Sequence, residues 1–396
     1  MFQALNQVTY QVADLDRARQ WYRTILNKEP VFDTPFIVIF AVGDFRLNLV
    51  PTTKPAPRSD ERVVAYWAVA DIDVAYQRLL EAGATPHTEI RPVLDTRLAK
   101  VVDPFGNILG IAGKAADRKE SVENQPSESA MTVAFCRALA ANDEREEIRG
   151  PDYLAEIFLT EDGRRPLKDR TSREWVIKKL VTPELYAYFI ARTAYIDHIF
   201  EQALRANLPQ IVFLGAGYDS RSLRFKELIK DTRLFECDIQ PTQQRKKNLL
   251  SQANVAVPQQ LTFVPINFKA EALEHGLSTA GFDKSKRTLF IWEGVSYYLS
   301  AEAVNKTLNS VRSSSPVGST ICFDYMTQSM LSPYAAEPFQ FWIEPEKIES
   351  FLAERGYQLV DQLTPADLER NYLTLRDGSL AEKTLAAFYL AHASVI

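Results

Sequence analysis

The N-terminal hundred residues contain an internal repeat, VADLDRARQ at residues 12–20 and VADIDVAYQ at residues 69–77. Each copy follows a short β-type run and opens a stretch with the periodicity of an amphipathic helix. Asp14 and Asp71, at the start of these stretches, can accept hydrogen bonds from the free N–H groups of a first helical turn. Further apolar runs and turns follow both copies. The repeat therefore predicts an α+β domain of two βαβββ modules that ends near Gly113.

The duplicated helix start and the turn DPFGN at residues 103–107 resemble the vicinal-oxygen-chelate family of glyoxalases, extradiol dioxygenases and bleomycin-resistance proteins. The resemblance covers residues 1–113. In active enzymes of that family, His, Gln or Glu side chains on equivalent strands hold a divalent metal. The matching positions here are Gln7, Asn48, Val64 and Gly110. Because valine and glycine side chains have no donor atom, the resemblance implies the fold without a metal site. The resemblance therefore leaves a ligand-binding or a dimerisation role for this domain and disfavours the activity of a metal-dependent lyase or dioxygenase.

A polar segment, KAADRKESVENQPSES at residues 114–129, separates this domain from the rest of the chain. It has almost no large apolar residues, and this composition is typical of a linker. We therefore predict a glyoxalase-like domain of residues 1–113, a linker of residues 114–129 and a larger domain of residues 130–396.

The overall composition is that of a soluble globular protein, with 46% hydrophobic and 24% charged residues among 396. A net charge of −5 gives no sign of a nucleic-acid or anionic-membrane partner. No apolar run reaches the roughly 18–20 residues of a membrane span, and the first residues lack the basic start of a signal peptide. Three scattered cysteines indicate neither a disulfide framework nor a metal knuckle. We expect a cytoplasmic protein, and homo-oligomer formation stays open.

The larger domain begins with helical periodicity, from Met131 to about Leu208, with a break expected at Thr182-Pro183. The basic segment 162–173 within it is interpreted as a solvated connection or as a lid over an anionic ligand. Apolar runs separated by helical stretches follow, and this is typical of parallel strands covered on both faces. They span residues 210–214, 232–237, 261–266, 288–292, 319–323, 357–363 and 386–390. The pattern predicts an α/β doubly wound sheet with a helical N-terminal extension.

The first of these runs leads directly into a glycine-rich turn, GAGYD at residues 215–219. Glycines there let a ligand approach the backbone closely. A dinucleotide fingerprint would need a third glycine where Ser220 stands, so that class of cofactor is disfavoured. A nucleoside cofactor such as S-adenosylmethionine (SAM) needs no pyrophosphate cradle. An acidic side chain at the end of the next strand, Glu236 or Asp238, can bind its ribose hydroxyls.

Five motifs, in order along the larger domain, resemble the leucine-carboxyl-methyltransferase-like branch of the class I SAM-dependent methyltransferases. They are ARTAYID (191–197), LGAGYDSR (214–221), FECD (235–238), FVPINF (263–268) and IWEGVSYYL (291–299). The resemblance implies SAM as the cofactor and methyl transfer as the reaction. It also implies that Arg192 pairs with the SAM carboxylate and that Gly215 and Gly217 admit the methionine moiety. Asp238 would hold the ribose, with Glu236 as the alternative.

Two further positions complete the implied cofactor site. Asn267 stands where the family commonly has Asp near the adenine, and its amide oxygen can accept the adenine amino proton. Glu293 would face the sulfonium or the amino group, since an isolated buried carboxylate there would need a cationic partner. Arg221 and Arg224 are expected to brace the glycine turn through local ion pairs.

No general base is evident from the sequence. His198 and Tyr298 are the candidates, and the acceptor pocket is placed in the irregular segment 326–341. A carboxylate acceptor would need no base, whereas a phenol or an alcohol would use one. We predict a SAM-dependent O-methyltransferase of a small molecule, with a carboxyl acceptor in secondary metabolism as one option. Two alternatives remain, a methyltransferase of protein C-terminal carboxylates and a non-catalytic small-molecule-binding protein.

Overall fold

The computed structural model forms two compact units, residues 1–118 and residues 119–396, called unit 1 and unit 2. It describes residues 7–43, 45–52, 64–93, 96–114, 126–268, 271–330 and 338–396. The boundary between the units lies inside the segment predicted as a linker, whose residues 115–125 fall outside the described part of the chain.

Unit 1 contains two βαβββ modules, as the repeat predicts. The first consists of β1 (Gln7–Val12), α1 (Leu15–Leu26), β2 (Phe32–Asp33), β3 (Val38–Val42) and β4 (Phe45–Pro51). The second consists of β5 (Tyr66–Val69), α2 (Ile72–Glu81), β6 (Thr85–Val93), β7 (Thr96–Val102) and β8 (Ile108–Lys114). Their sheets have equivalent orders, β1-β4-β3-β2 and β5-β8-β7-β6. Both repeated aspartates cap their helices, because Asp14 accepts from the Arg17 N–H and Asp71 from the Val74 N–H.

The DPFGN turn connects the two modules through one buried carboxylate, that of Asp103. Its Oδ1 accepts from the Phe105 N–H (2.9 Å) and the Asn107 N–H (2.7 Å) within the turn. Its Oδ2 accepts from Asn107 Nδ2 (3.0 Å) and from the hydroxyl of Tyr22 (2.6 Å), which lies on α1 of the first module. Asp103 and Tyr22 are both almost completely buried. The turn therefore stabilises its own backbone and the packing of the two modules against each other.

Unit 2 begins with helices and continues as a single mixed sheet. Its strands are β9 (Gln210–Leu214), β10 (Arg233–Asp238), β11 (Leu261–Pro265), β12 (Thr288–Trp292), β13 (Thr320–Met326), β14 (Tyr357–Leu363) and β15 (Phe388–Val395). Its α-helices are α3 (Glu128–Ala141), α4 (Glu161–Arg164), α5 (Arg170–Val176), α6 (Pro183–Arg205), α7 (Arg221–Arg224), α8 (Gln240–Gln252), α9 (Leu273–Thr279), α10 (Ala301–Ser313), α11 (Ile348–Ala353) and α12 (Pro365–Tyr372). Short 3₁₀ helices span Glu146–Ile148, Ala155–Phe158, Arg165–Lys168, Ser296–Tyr298 and Pro345–Lys347, and a π-helix spans Ile177–Val181.

The strand order in unit 2 is β11-β10-β9-β12-β13-β15-β14. The pairs from β11 to β13 are parallel, and β15 runs antiparallel between β13 and β14. Alternate residues of β9 enter different cores, Ile211 and Phe213 with α3 and α6, Val212 and Leu214 with α10 and α11. The sheet is therefore covered on both faces, as its apolar strands predict. The order reverses beside β9, which places a crevice at the carboxyl ends of β9 and β12.

Two helix boundaries differ in detail from the sequence analysis. Helix α3 starts at Glu128, inside the predicted linker, because the Ser127 side chain accepts from the Ala130 N–H and caps it. The expected break before Pro183 is present, since Thr182 adopts a positive φ of 80° between the π-helix and α6. In the described part of the chain, no helix combines the length and apolar character needed to cross a membrane.

Replacing Asp103 with Ala removes the acceptor of four hydrogen bonds and leaves the buried Tyr22 hydroxyl without its partner. We expect the free energy of unfolding of unit 1 to fall by about 3 kcal/mol. Amide hydrogen exchange of the whole chain in increasing urea, followed on peptides of unit 1, measures this loss. Asp16→Ala is the matched control, since Asp16 is 84% exposed in its ion pair with Arg19 and should contribute about 0.5 kcal/mol or less. Equal losses for the two variants would contradict the role of Asp103.

Candidate active site

A cavity of about 240 Å³ opens in unit 2 at the carboxyl ends of the central parallel strands. The turn after β9, the end of β10 and the segments after β11 and β12 form its floor, and α3 and α6 contribute to its walls. Six of the seven predicted cofactor residues line it. These are Arg192, Gly215, Gly217, Asp238, Asn267 and Glu293. Side chains far apart in the sequence therefore meet where the strand order reverses.

The glycine turn lies tightly against the neighbouring strands. Gly215 and Gly217 both have positive φ angles, +75° and +50°, which side chains with a Cβ disfavour. The N–H groups of Gly215 and Ala216 donate to the Cys237 carbonyl of β10, at 2.8 and 3.0 Å. A Cβ on Gly215 would overlap Cγ2 of Val295. Glycine is therefore required at this position on conformational and steric grounds.

Asp238 ends β10 and faces the cavity. Its Oδ2 accepts from the Gly217 N–H (2.5 Å) and its Oδ1 from the Ile239 N–H (2.7 Å). Burial raises the pKa of this carboxyl to about 6, and the two backbone N–H groups oppose the shift. Since each carboxylate oxygen can accept more than one hydrogen bond, Asp238 keeps acceptor capacity for a ligand hydroxyl.

Glu236, the alternative to Asp238, lies outside the cavity lining. Its Oε2 accepts from Lys246 Nζ (2.6 Å) on α8 and its Oε1 from Ser222 Oγ (2.9 Å). Glu236, Lys246 and Ser222 are all fully buried. The two-residue period puts Glu236 and Asp238 on one face of the strand, but Glu236 sits deeper, where α8 covers the sheet. Glu236 therefore forms an ion pair inside the protein and is not placed to bind a ligand in the cavity.

Arg192 and Glu293 both line the cavity and form an ion pair with each other. Arg192 Nε lies 3.0 Å from Glu293 Oε1, an ion pair without hydrogen-bond geometry, and Arg192 Nη1 donates to Asp324 Oδ2 at 2.7 Å. Glu293 Oε2 accepts from Arg221 Nη1 at 2.7 Å. Burial raises the pKa of the Glu293 carboxyl, but Arg221 and Arg192 outweigh it and leave the pKa below its ordinary value. The expectation that Glu293 is an isolated carboxylate in need of a cationic ligand is therefore wrong.

These contacts belong to a continuous series of buried ion pairs, here called the ion-pair chain. Its members are Asp324, Arg192, Glu293, Arg221, Asp219, Asp197, Arg224, Asp152 and Arg137. Each lies within 3.5 Å of the next, except that Asp219 branches from Arg221, and no side chain is more than 10% exposed. Arg221 and Arg224 thus brace the glycine turn as expected, by reaching Asp197 on α6.

Arg137 and Asp324 belong to the ion-pair chain but were not predicted as site residues from the sequence. Arg137 of α3 lines the cavity, and its Nη2 donates to the Tyr218 carbonyl at 2.6 Å. Asp324 of β13 is completely buried and also accepts from the Tyr188 hydroxyl (2.8 Å) and the Gly294 N–H (2.7 Å). Each charge interrupts an otherwise apolar run, FCRALA or ICFDYM. A charged residue within an apolar run could have indicated a buried ion pair, because a charge is buried only with partners.

Of the candidate bases, His198 lies away from the cavity. It is exposed on α6, with Nε2 2.8 Å from Gln202 Nε2. His198 lies six residues after Arg192 on the same helix, and this spacing places the two side chains about 120° apart around the helix axis. Tyr298 does line the cavity, with Tyr297, whereas Tyr195 donates to Asp361 (3.3 Å) elsewhere. No histidine of the described chain segments lines this cavity.

The basic segment predicted as a lid or a solvated connection is helical and has other partners. It covers α4, the following 3₁₀ helix and the start of α5. Arg170 and Arg173 lie 3.1 and 3.3 Å from the carboxylate of Glu144. Among the described residues that line the cavity, none comes from 162–173. The segment therefore serves as a connection in this structure.

Three of the four positions that correspond to metal ligands in the N-terminal resemblance lie on strands of unit 1. Gln7 and Asn48 are on the adjacent strands β1 and β4, Gly110 is on β8, and Val64 precedes β5. Asn48 is buried, and its Nδ2 lies 3.4 Å from Thr9 Oγ1. Within the residues that the structure describes, no group of three or more His, Cys, Asp or Glu side chains is placed to hold a metal ion.

Comparison with known sequences agrees with this architecture. Residues 130–312 match the profile of leucine carboxyl methyltransferase, and residues 4–111 match the Glyoxalase/Bleomycin resistance protein/Dioxygenase superfamily. YktD of Bacillus subtilis (strain 168), assigned to the SAM-dependent methyltransferases, is 30% identical over 223 residues, which are 52% of this chain and 73% of YktD. A Frankia alni protein with the same assignment is 28% identical over 243 residues, 58% of this chain and 82% of its own.

The fold and the cavity together define an enzyme of the class I SAM-dependent methyltransferases, with a glyoxalase-like unit at its N-terminal side. The chain belongs to the SAM-dependent methyltransferases, its residues 130–312 match the leucine carboxyl methyltransferase family, and its cofactor is SAM.

Gly215→Ala should raise the Kd for SAM at least tenfold, because the new Cβ overlaps Val295 and strains a positive φ. Isothermal titration calorimetry measures it. Gly378→Ala is the matched control, since Gly378 has a φ of +81° but a Cβ added there would have no atom within 4 Å. It carries the same backbone strain at a distance from the cavity lining and should bind SAM normally. A folded Gly215→Ala protein with unchanged Kd would contradict the assignment of this cavity.

Proposed function

We propose that this enzyme is a SAM-dependent O-methyltransferase whose acceptor is a small, largely apolar carboxylic acid. One observation carries the proposal: among the described residues that line the cavity, every carboxylate is engaged by an arginine or by backbone N–H groups. Glu293 is held by Arg192 and Arg221, Asp219 by Arg221, and Asp238 by two N–H groups. A site so arranged favours an acceptor that is already a nucleophile at neutral pH, and a carboxylate is one.

The residues of the cavity fit SAM. Asp238 can accept from the ribose hydroxyls, and the Asn267 amide can accept from the adenine amino group. Arg192 has five N–H donors and directs only some of them at Glu293 and Asp324, so donors remain for the methionine carboxylate. Arg137, on the facing helix, is a second guanidinium for the same group. The turn at Gly215 leaves no room for a Cβ and suits close approach of the backbone to a ligand.

The other part of the lining suits an apolar acceptor. It consists of Phe189, Tyr297, Tyr298, Leu299 and Pro338. Such side chains exclude water from the reacting atoms and hold an organic acid by its hydrocarbon portion. Pro338 lies in the segment 326–341, where the sequence analysis places acceptor specificity; residues 331–337 of that segment are outside the described chain. The name of the matching family, leucine carboxyl methyltransferase, also supports a carboxyl acceptor.

When bound, SAM would supply the methyl group: a carboxylate oxygen of the acceptor would form the O–CH₃ bond of a neutral ester as the S–CH₃ bond breaks and its electron pair stays on sulfur. The protein's contribution is to align the two groups and to keep water out. Tyr297 is unsuited to remove a proton, because burial, and then the nearby Asp324, raise the pKa of its hydroxyl far above neutrality. No residue of this chain needs to move a proton when the acceptor is a carboxylate.

Unit 1 is proposed as an accessory domain that binds a small ligand or mediates pairing. Its βαβββ modules and its match to the Glyoxalase/Bleomycin resistance protein/Dioxygenase superfamily support this. A cytoplasmic location, a place in secondary metabolism and homo-oligomer formation stay predictions from sequence.

SAM binding should strengthen with rising pH, because the ionised form of Asp238 is the acceptor that ribose hydroxyls need. With a pKa of about 6 in the free protein, Asp238 is mostly protonated at pH 5 and mostly ionised at pH 7. The Kd for SAM should therefore fall about tenfold between these pH values. Calorimetry at both values tests this. Asp238→Asn should bind weakly at both, and a Kd independent of pH in the unsubstituted protein would contradict the ribose assignment.

Methyl transfer should favour carboxylic acids over matched alcohols and phenols. A panel of apolar carboxylic acids, each with its alcohol analogue, is assayed with radiolabelled SAM, and a short peptide with a free C-terminal leucine is included. Small-acid methyl esters are the expected product. Transfer to alcohols or phenols alone would contradict the proposal, and transfer to the peptide alone would favour a protein C-terminal substrate. His198→Ala should retain full activity, since His198 is exposed outside the cavity.

A further inference from the structure

A second, much smaller cavity in unit 2 shares a wall with the active-site cavity. Its volume is about 10 Å³, about the room that one water molecule needs, and it is here called the rear cavity. Residues of α3, of α6 and of the segment 150–152 line it. Arg137 and Phe189 line both cavities, so these two side chains separate the rear cavity from the candidate site for SAM.

Three residues that line the rear cavity each bury a polar side-chain atom. These atoms are Arg137 Nε, Asp152 Oδ2 and Thr193 Oγ1, and their side chains are at most 5% exposed. Among the residues that the structure describes, none of the three atoms has a hydrogen-bond partner. Arg137 Nε lies 3.3 Å from Asp152 Oδ2 as an ion pair without hydrogen-bond geometry. The rear cavity therefore offers a water molecule a donor, an acceptor and a hydroxyl, which can be either.

The hydroxyl of Thr193 is a departure from the other helices of this protein. A threonine inside a helix often donates to the carbonyl four residues earlier. Four other helical threonines do so: Thr24, Thr132, Thr279 and Thr307. In the middle of α6, Thr193 Oγ1 has no partner in the described part of unit 2, the Phe189 carbonyl included. Its hydroxyl is therefore available to a molecule in the rear cavity.

We propose that the rear cavity binds one internal water molecule, and that Thr193 is a positioning residue that acts through this water on Arg137. The water accepts from the Arg137 Nε–H, donates to Asp152 Oδ2 and is held by the Thr193 hydroxyl. About three hydrogen bonds are typical of a buried water. The site joins α3, α6 and the segment 150–152 at the point where each contributes one polar atom.

The water would fix the side of the Arg137 guanidinium that faces away from SAM. Another donor of the same group, Nη2, is already directed at the Tyr218 carbonyl, at 2.6 Å. With Nε and Nη2 both engaged, the plane of the guanidinium is set, and its remaining N–H groups are left for the methionine carboxylate. This effect on SAM rests on the proposed function, whereas the water site itself does not.

The effect is confined to one part of the cofactor. The ligand 5′-methylthioadenosine has the adenine, the ribose and a thioether sulfur, but it lacks the carboxylate and the amino group of SAM. A displaced Arg137 would therefore weaken the binding of SAM and leave that of 5′-methylthioadenosine unchanged. A general loosening of the active-site cavity would weaken the binding of both ligands.

A crystal structure of the full chain, at a resolution that shows ordered waters, tests the site directly. One water is expected within hydrogen-bond distance of Arg137 Nε, Asp152 Oδ2 and Thr193 Oγ1. In Thr193→Val, which replaces the hydroxyl with a methyl group of nearly the same shape, this water should be lost. A rear cavity without electron density in the unsubstituted protein would overturn the proposal, and so would a Thr193 hydroxyl bonded to the Phe189 carbonyl.

Calorimetric titration with SAM and with 5′-methylthioadenosine tests the positioning role. In Thr193→Val, the Kd for SAM should rise about fivefold, the order expected for the loss of one hydrogen bond. The Kd for 5′-methylthioadenosine should stay the same. Thr193→Ser keeps the hydroxyl and should restore the SAM Kd of the unsubstituted protein. Equal weakening of both ligands would show a merely structural role and overturn the proposal, as would an unchanged SAM Kd in Thr193→Val.

Thr307→Val is the matched control for the loss of a buried helical hydroxyl. Thr307 of α10 is 6% exposed, donates to the Ala303 carbonyl at 2.9 Å and lies outside the linings of both cavities. Its replacement should lower the melting temperature and leave both Kd values unchanged, and a raised SAM Kd would count against the proposal. If Thr193→Val does not fold, the crystal structure of the unsubstituted protein still decides. A normal SAM Kd in Gly215→Ala would instead show that the proposed function has failed, an outcome on which the water site does not depend.

Discussion

The ion-pair chain is the interaction on which the architecture of unit 2 depends. It connects α3, α6, the glycine turn after β9, the end of β12 and β13 in one buried set of charges. Taking charges out of water is expensive, and each is tolerated only because its neighbour carries the opposite sign. The chain thus makes the elements around the cavity interdependent, since the loss of any member removes an ion pair from at least one other. Rigidity of the charged part of the cavity lining follows from this dependence.

Local patterns were readable from the sequence because their physical causes are local. The repeat, both helix-capping aspartates, the glycine turn and the strand ends depend on neighbouring residues, and six of the seven predicted cofactor residues consequently line one cavity. The contacts that were missed join different elements. Glu236 on β10 meets a lysine on α8, and Glu293 meets two arginines at least 72 residues away. Periodicity places a side chain on a face but does not name what packs there, so Glu293 was wrongly expected to be isolated.

The cavity combines two environments that methyl transfer needs. Some of its lining residues carry charges fixed by partners, which suit the zwitterionic methionine portion and the hydroxyls of SAM. Others are aromatic or aliphatic, among them Phe189 and Leu299, and suit an apolar acceptor. Fixed charges cost no reorganisation when a ligand binds, and apolar walls keep competing water away.

The order of the sheet has a consequence for how unit 2 is assembled during folding. Strand β15 follows β14 in the chain but lies between β13 and β14, so β14 pairs with the sheet only through a strand that is synthesised later. Until Phe388–Val395 emerges, the outer edge of β13 presents unpaired N–H and C=O groups. Such open edges recruit other chains. Since β13 carries Asp324, the strand edge that is open during this interval belongs to the same strand as one of the charges of the ion-pair chain.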